Sequence, residues 1–260
     1  MLANWKSSFG KIRKVFYPKQ ALFIPTLRAY LVQSRFYLFI ELWLRFVFFM
    51  VINRGKVSKL EISKENHLNN VIRHQFKENF NMMFFVRGRI EGLLYPLLSI
   101  PWVRRMFKTG KILSIGPRNE GEVLLLSKLG FDWKNITAID LFSYSPKITL
   151  MDMHQMTFPD NSFDIVISSW VLRYSYSIEK AVNEMIRVAK NGSYIAIGMS
   201  YGDDELIQSS RDAESVITKL DGGLHELLEF FGDHLDTVHW KMEYVKGNQT
   251  DITTVFKIKK

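Results

Sequence analysis

Residues 111–122, KILSIGPRNEGE, hold a short apolar run that stops at Gly116 and gives way to a polar stretch. Residues 111–115 have the length of a buried parallel strand, and residues 123–129 (VLLLSKL) continue as an apolar helix, so residues 116–119 form the turn between them. Glycine at 116 lets backbone approach a ligand closely. Asn119 reads as a helix N-cap, and Glu122 three residues later completes a capping-box pattern. Glu120 and Glu122 therefore fall in the first helical turn.

Those carboxylates bear on the ligand. A dinucleotide site aims a helix N-terminus at a pyrophosphate, and acidic side chains there would repel it. S-adenosylmethionine carries no phosphate and presents a sulfonium and an ammonium, so acids beside the turn are compatible with it. The alternative at this point is a capped helix with solvated glutamates.

Further along, residues 135–141 (NITAIDL) make a second short strand containing Asp140, and residues 147–151 (KITLM) a third, followed by Asp152. Residues 163–168 (FDIVIS) make a fourth strand and residues 193–199 (SYIAIGM) a fifth, reached through an amphipathic helix over 178–189. Strands rich in Ile and Val that alternate with helices indicate a parallel sheet covered on both faces. Ligands of such sheets sit outside the carboxyl ends of the strands, where Gly116, Asp140 and Asp152 all fall. A carboxylate closing the second strand can accept both hydroxyls of a ribose. One closing the third can accept the exocyclic amine of adenine, with the backbone of Met153 beside it.

Residues of about 108–200 resemble the class I S-adenosylmethionine-dependent methyltransferases, in particular the broad group of type 11-like domains that methylate small molecules and lipids. The motifs that carry the resemblance are ILSIGPRNEGE, AIDLFSYSP, MDMHQMTFPDNSFDIVISSWVL and EKAVNEMIRVAKNGSYIAIG. It implies a Rossmann-like seven-stranded α/β sheet with helices on both faces and an antiparallel last strand, with residues 239–244 and 253–258 forming the final hairpin. It also implies S-adenosyl-L-methionine as cofactor. Gly116 would be the glycine of the cofactor loop, Asp140 the ribose acid with Leu141 beside it, and Asp152 the adenine acid with Met153. Ser169 and Trp170 would line the cofactor and substrate side. Two departures stand out: Ser114 occupies the place of an acidic residue, and Arg118 and Glu120 occupy places of glycines. Arg118 is expected to take the methionine carboxylate, and Glu120 or Glu122 its ammonium, in place of loop backbone.

Methyl transfer from a sulfonium is an in-line displacement that positioning can accelerate without a dedicated base. If a base exists, His154 is the best placed, with Tyr174, Tyr176 and Tyr201 as neighbours. The acidic cluster Asp203, Asp204 and Glu205 reads as a solvated loop, with a cationic acceptor amine as the alternative.

The first 110 residues carry 19 Lys+Arg against 5 Asp+Glu, whereas the remainder carries 16 against 21. The change in sign marks a boundary near residue 110, and the chain is read as a basic, aromatic, helical extension over 1–107 followed by the methyltransferase-like domain of 108–260. Residues 36–52 (FYLFIELWLRFVFFMVI) are apolar all round apart from Glu41 and Arg45, which sit one turn apart and can pair. This run falls short of the roughly 20 apolar residues of a spanning helix, and reads as buried, as packed on a partner, or as lying in a membrane interface. Pro96 and Pro101 are expected to break residues 82–100 into short pieces.

Residues 1–20 do not read as a signal peptide. With zero cysteines and no ligand spacing among the six histidines, disulfides and thiolate chemistry are excluded and no metal is expected. The whole reads as a cytoplasmic enzyme, peripheral at an anionic membrane, that methylates a small-molecule or lipid-like acceptor. No signature supports nucleic acid. A non-catalytic protein of the same fold, docking a partner or membrane through its basic region, is the alternative.

Overall fold

The computed structural model describes residues 35–60, 90–117, 119–202, 220, 222–246 and 249–260. In chain order its elements are α1 (Arg35–Ile52), β1 (Ser58–Lys59), α2 (Glu91–Ser99), α3 (Pro101–Arg105), β2 (Ile112–Ile115) and α4 (Glu120–Lys128). There follow β3 (Ile136–Asp140), β4 (Phe142–Ser143), β5 (Ile148–Leu150), β6 (Phe163–Ser169), α5 (Ile178–Val188) and β7 (Ala189–Gly202). The chain closes with α6 (Gly223–Glu229), β8 (Leu235–Lys246) and β9 (Gln249–Ile258).

β2 is buried at all four positions, as a strand covered on both faces must be. It lies in a seven-stranded sheet of order β5-β3-β2-β6-β7-β9-β8. The strands from β5 to β7 pair in parallel, while β9 runs antiparallel to both β7 and β8. This is the Rossmann-like sheet with an antiparallel last strand that the motifs implied, and its final hairpin is longer at both ends than the motif alone suggested.

Alternate side chains along each strand serve opposite faces. Leu113, Ile115, Ile195 and Ile197 pack with α5 and α6, and Ile112, Ile165, Ile167 and Ala196 pack with α2, α3 and α4. α2 and α3 thus belong to one of the two covering layers: Leu93, Leu94, Leu97 and Val103 are fully buried there. Pro96 lies inside α2 without ending it, and the break falls one residue before Pro101, which takes the first position of α3.

α1 lies outside α4. Leu38 and Leu42 pack on Leu124, and two ion pairs tie the helices: Glu41 to Lys128 Nζ at 2.7 Å, and Arg45 to Glu120. The earlier residue of α1 meets the end of α4 and the later one its start, so the helices run in opposite directions. Glu41 and Arg45 were expected to pair with each other; the Glu41 charge does act on Arg45, and each side chain also reaches across to α4, Glu41 to Lys128 and Arg45 to Glu120. Around Arg45, Asn53 Nδ2 donates to Tyr144 O at 2.9 Å and β1 pairs with β4. The N-terminal segment therefore clasps the loop that follows β3.

Glu120 is fully buried, so its carboxylate depends on Arg45, whose Nε and Nη2 donate to it at 2.5 and 2.8 Å. Removing one partner of such a pair costs more than removing both. We expect Arg45→Ala to lower stability by about 2–3 kcal/mol, and Arg45→Met combined with Glu120→Gln to recover most of it. Urea midpoints measure both; equal loss in the single and double variants would show that the cost is not that of an uncompensated Glu120 carboxylate.

Candidate active site

The turn after β2 is fixed by Gly116. Its φ of +64° lies in the left-handed region, its N–H still donates to Ile139 O at 2.8 Å, and a Cβ there would sit 2.4 Å from Cγ2 of Val171. The glycine therefore lets the chain close on its own neighbouring loop. From Asn119, whose Oδ1 accepts the N–H of Gly121 at 2.8 Å, α4 begins as its cap predicted.

At the carboxyl ends of β2, β3 and β5 lies a cleft of about 360 Å³ including its open mouth, with Gly116, Asp140 and Asp152 in its lining. The register explains why the two acids meet. Asp140 pairs with Leu150 across parallel strands, and Met151 N–H donates to Asp140 O at 3.0 Å, so the chain leaves β5 with Asp152 beside the end of β3. Ile115, Ile139 and Met151 supply apolar walls, and Leu141, Met153 and His154 also line the cleft. Val171 and Tyr174 close it from the loop after β6.

Asp140 is buried and its Oδ1 accepts the N–H of Leu141 at 2.7 Å. Asp152 is half-buried, and its Oδ1 accepts from the backbone N–H of His154 at 2.9 Å and meets the ring Nδ1 at 2.5 Å. Burial alone would raise the Asp152 carboxyl, but the hydrogen bonds from the ring and backbone of His154 outweigh it and hold the group below the usual carboxylate range.

Other expected site residues lie elsewhere. Glu120 is not in the cleft lining: besides Arg45, its carboxylate accepts from Ser145 Oγ, and its backbone N–H donates to Tyr144 Oη at 3.3 Å. Burial and the neighbouring Glu120 carboxylate push the Tyr144 phenol above its ordinary range. The Glu120 carboxylate, expected beside the cofactor ammonium, is thus paired with α1. For the same reason Glu120 supplies no repulsion against a pyrophosphate. Ser169 and Trp170 are also outside the lining. Trp170 has φ +57°, and its ring packs over Gly198, where a Cβ would lie 2.7 Å away, so it joins the core on the α2–α4 face. His154 has both ring nitrogens engaged and a fully buried side chain, which withdraws it from the role of base. Arg118, Asp203, Asp204 and Glu205 lie outside the described residues, and nothing is described of the Tyr201 side chain. Val171 was missed as a wall because a valine after a strand carries no chemical signal.

Residues 113–197 match the family described as a methyltransferase domain. Among solved structures, a chain in a complex of the Trm112 methyltransferase activator with a candidate methyltransferase from Haloferax volcanii is similar at 14% identity, over 71% of this chain and 95% of that one, with a TM-score of 0.50. An S-adenosylmethionine-dependent methyltransferase from Aquifex aeolicus is similar at 18% identity over 74% and 100%, with a TM-score of 0.44. The N-methyltransferase NodS from Bradyrhizobium japonicum is similar at 14% identity over 67% and 96%, with a TM-score of 0.45. No curated protein sequence matches the chain. Residues 113–197 thus carry a methyltransferase domain on a Rossmann-like sheet, and S-adenosylmethionine is the cofactor that goes with such a domain.

The tight fit at Gly116 yields a direct expectation. Gly116→Ala should cost at least about 1 kcal/mol from the left-handed backbone alone, with the overlap on Val171 added. Val171→Ala in the same chain should return only part of the overlap, because the Val171 Cβ that alanine keeps would itself lie 2.6 Å from the new methyl, as thermal midpoints would show; a fully neutral Gly116→Ala would mean the turn rearranges freely.

Proposed function

We propose that the chain transfers a methyl group from S-adenosylmethionine to a small-molecule or lipid-like acceptor, with the cofactor held in the cleft of Asp140 and Asp152. The observation that carries this is the meeting of two carboxylates with an apolar slot at adjacent strand ends. Ile115, Ile139 and Met151 suit the faces of a purine, Asp140 the hydroxyls of a ribose, and Asp152 an exocyclic amine. When bound, the cofactor supplies a methyl group already activated by a sulfonium, so the chain's task is to place an acceptor lone pair in line with it and exclude water. The acceptor's proton, where it has one, leaves to solvent or to the acceptor's own base, since His154 is otherwise engaged. Arg118 remains our candidate for the methionine carboxylate.

A lipid-like acceptor is favoured by the outward face of α1. Trp43, Leu44, Val47, Phe48, Val51 and Ile52 are exposed there, Val51 at 72%, in the part of the chain where basic residues outnumber acidic ones. Among the described residues no helix is long and apolar enough to cross a membrane. An apolar face with basic surroundings suits the interface of an anionic bilayer. The same face would equally serve a non-catalytic docking protein, and cofactor binding separates the two.

S-adenosylhomocysteine at 100 times its dissociation constant should add about 2.7 kcal/mol to stability and raise the thermal midpoint, whereas a nicotinamide dinucleotide should not. Asp140→Ala should abolish the shift. No shift in the intact chain would end the enzyme reading. For the membrane clause, co-sedimentation with phosphatidylserine vesicles should fall in Leu44→Ser/Val51→Ser, and intact chain that stays in the supernatant would remove it.

A further inference from the structure

His154 joins the two walls of the cleft. Its Nδ1 meets Asp152 Oδ1 at 2.5 Å, and its Nε2 meets Ser175 Oγ at 2.6 Å. Ser175 is fully buried and accepts the N–H of Ser177 at 3.1 Å. Ser177 in turn caps α5 by accepting the N–H of Lys180. The ring is stacked on Tyr176, with centroids 3.8 Å apart at 28°. Hydrogen-bond directions through this chain are consistent with one assignment: Ser177 N–H to Ser175 Oγ, Ser175 Oγ–H to Nε2, and Nδ1–H to the Asp152 carboxylate. An Asp–His–Ser series is the order of a nucleophilic triad, but here the serine hydroxyl is sealed from solvent and cannot reach a substrate.

What the series does is immobilise one oxygen of one carboxylate. Both donors of His154, ring and backbone, fall on Oδ1 of Asp152, which fixes the carboxylate plane and reserves Oδ2 for a ligand. We infer that His154 is a positioning residue for adenine: held by Ser175 and Tyr176, it orients Asp152 so that Oδ2 accepts the exocyclic amine of the purine and the cleft prefers adenine to hypoxanthine. This rests on the cofactor reading above and adds the residue that sets base selectivity. A carboxylate that is free to rotate can satisfy itself with water and loses that preference, because the wrong base then strands no fixed acceptor.

The test uses the full chain and isothermal titration with S-adenosylhomocysteine and its hypoxanthine counterpart, S-inosylhomocysteine. The intact chain should prefer the adenine ligand by about tenfold, the worth of one hydrogen bond to a charged acceptor. His154→Ala should lose most of that ratio by weakening the adenine ligand selectively. Ser175→Ala, which removes only the outer hydroxyl, should narrow the ratio partway, and it provides the same reading should His154→Ala fail to fold by circular dichroism. Equal weakening of both ligands in the variants would assign His154 to structure alone and overturn the inference, as would an unchanged ratio. If the intact chain binds neither ligand, the cofactor reading falls, and this inference with it. If it binds both with no preference, only the inference falls.

Discussion

The left-handed turn at Gly116 is the constraint from which the site follows. β2 must end there, since its next N–H bonds to Ile139 while the chain turns away at φ +64°, and the loop after β6 closes to within contact of its α-carbon. With a side chain at this position Val171 would have to retreat, and the wall it forms across from Asp140 would move with it. The carboxyl ends of β2, β3 and β6 are held together by that close approach, and the parallel register then delivers both aspartates to the same cleft.

The helix that starts after this turn is held from outside. Glu120 lies in the first turn of α4, where a carboxylate is favoured by the helix dipole, yet it is too deeply buried to be solvated. Arg45 compensates it from a helix whose sequence is otherwise almost wholly apolar. Ion pairs of this kind add little net stability compared with an apolar replacement, and their usual contribution is to fix one arrangement among several. Here that arrangement is the register of α1 on α4, reinforced by Glu41 with Lys128 and by the pairing of β1 with β4. The N-terminal segment is accordingly built into the edge of the cofactor domain, resting on the residues that follow Asp140.

What could be read from the chain beforehand was what depends on local periodicity. The parallel strands announce themselves by runs of Ile and Val, and Asn119 by its place before an apolar helix. Asp140 and Asp152 could be assigned to one cleft because strand ends in such sheets share an edge. What could not be read was which of several chemically equivalent partners a polar group would find. Arg45 has Glu41 one turn away and Glu120 75 residues away, and it takes the distant one because that carboxylate is buried. Trp170 looks like a wall of the cleft until its positive φ turns the ring onto Gly198. His154 looks like a free base in a loop until Ser175, 21 residues on, is brought against its far nitrogen.

The two aspartates share a further feature that neither periodicity nor family likeness would suggest. Each commits Oδ1 to a backbone N–H just downstream, Leu141 for Asp140 and His154 for Asp152. A carboxylate with one oxygen tied to its own loop has lost its rotational freedom before any ligand arrives, so the entropy of ordering it is not charged to binding. At Asp152 the hydrogen bonds from the ring and the backbone of His154 also hold the carboxyl below the usual carboxylate range. On the proposed reading, preorganisation of this sort would let the two carboxylates meet a nucleoside without first being ordered.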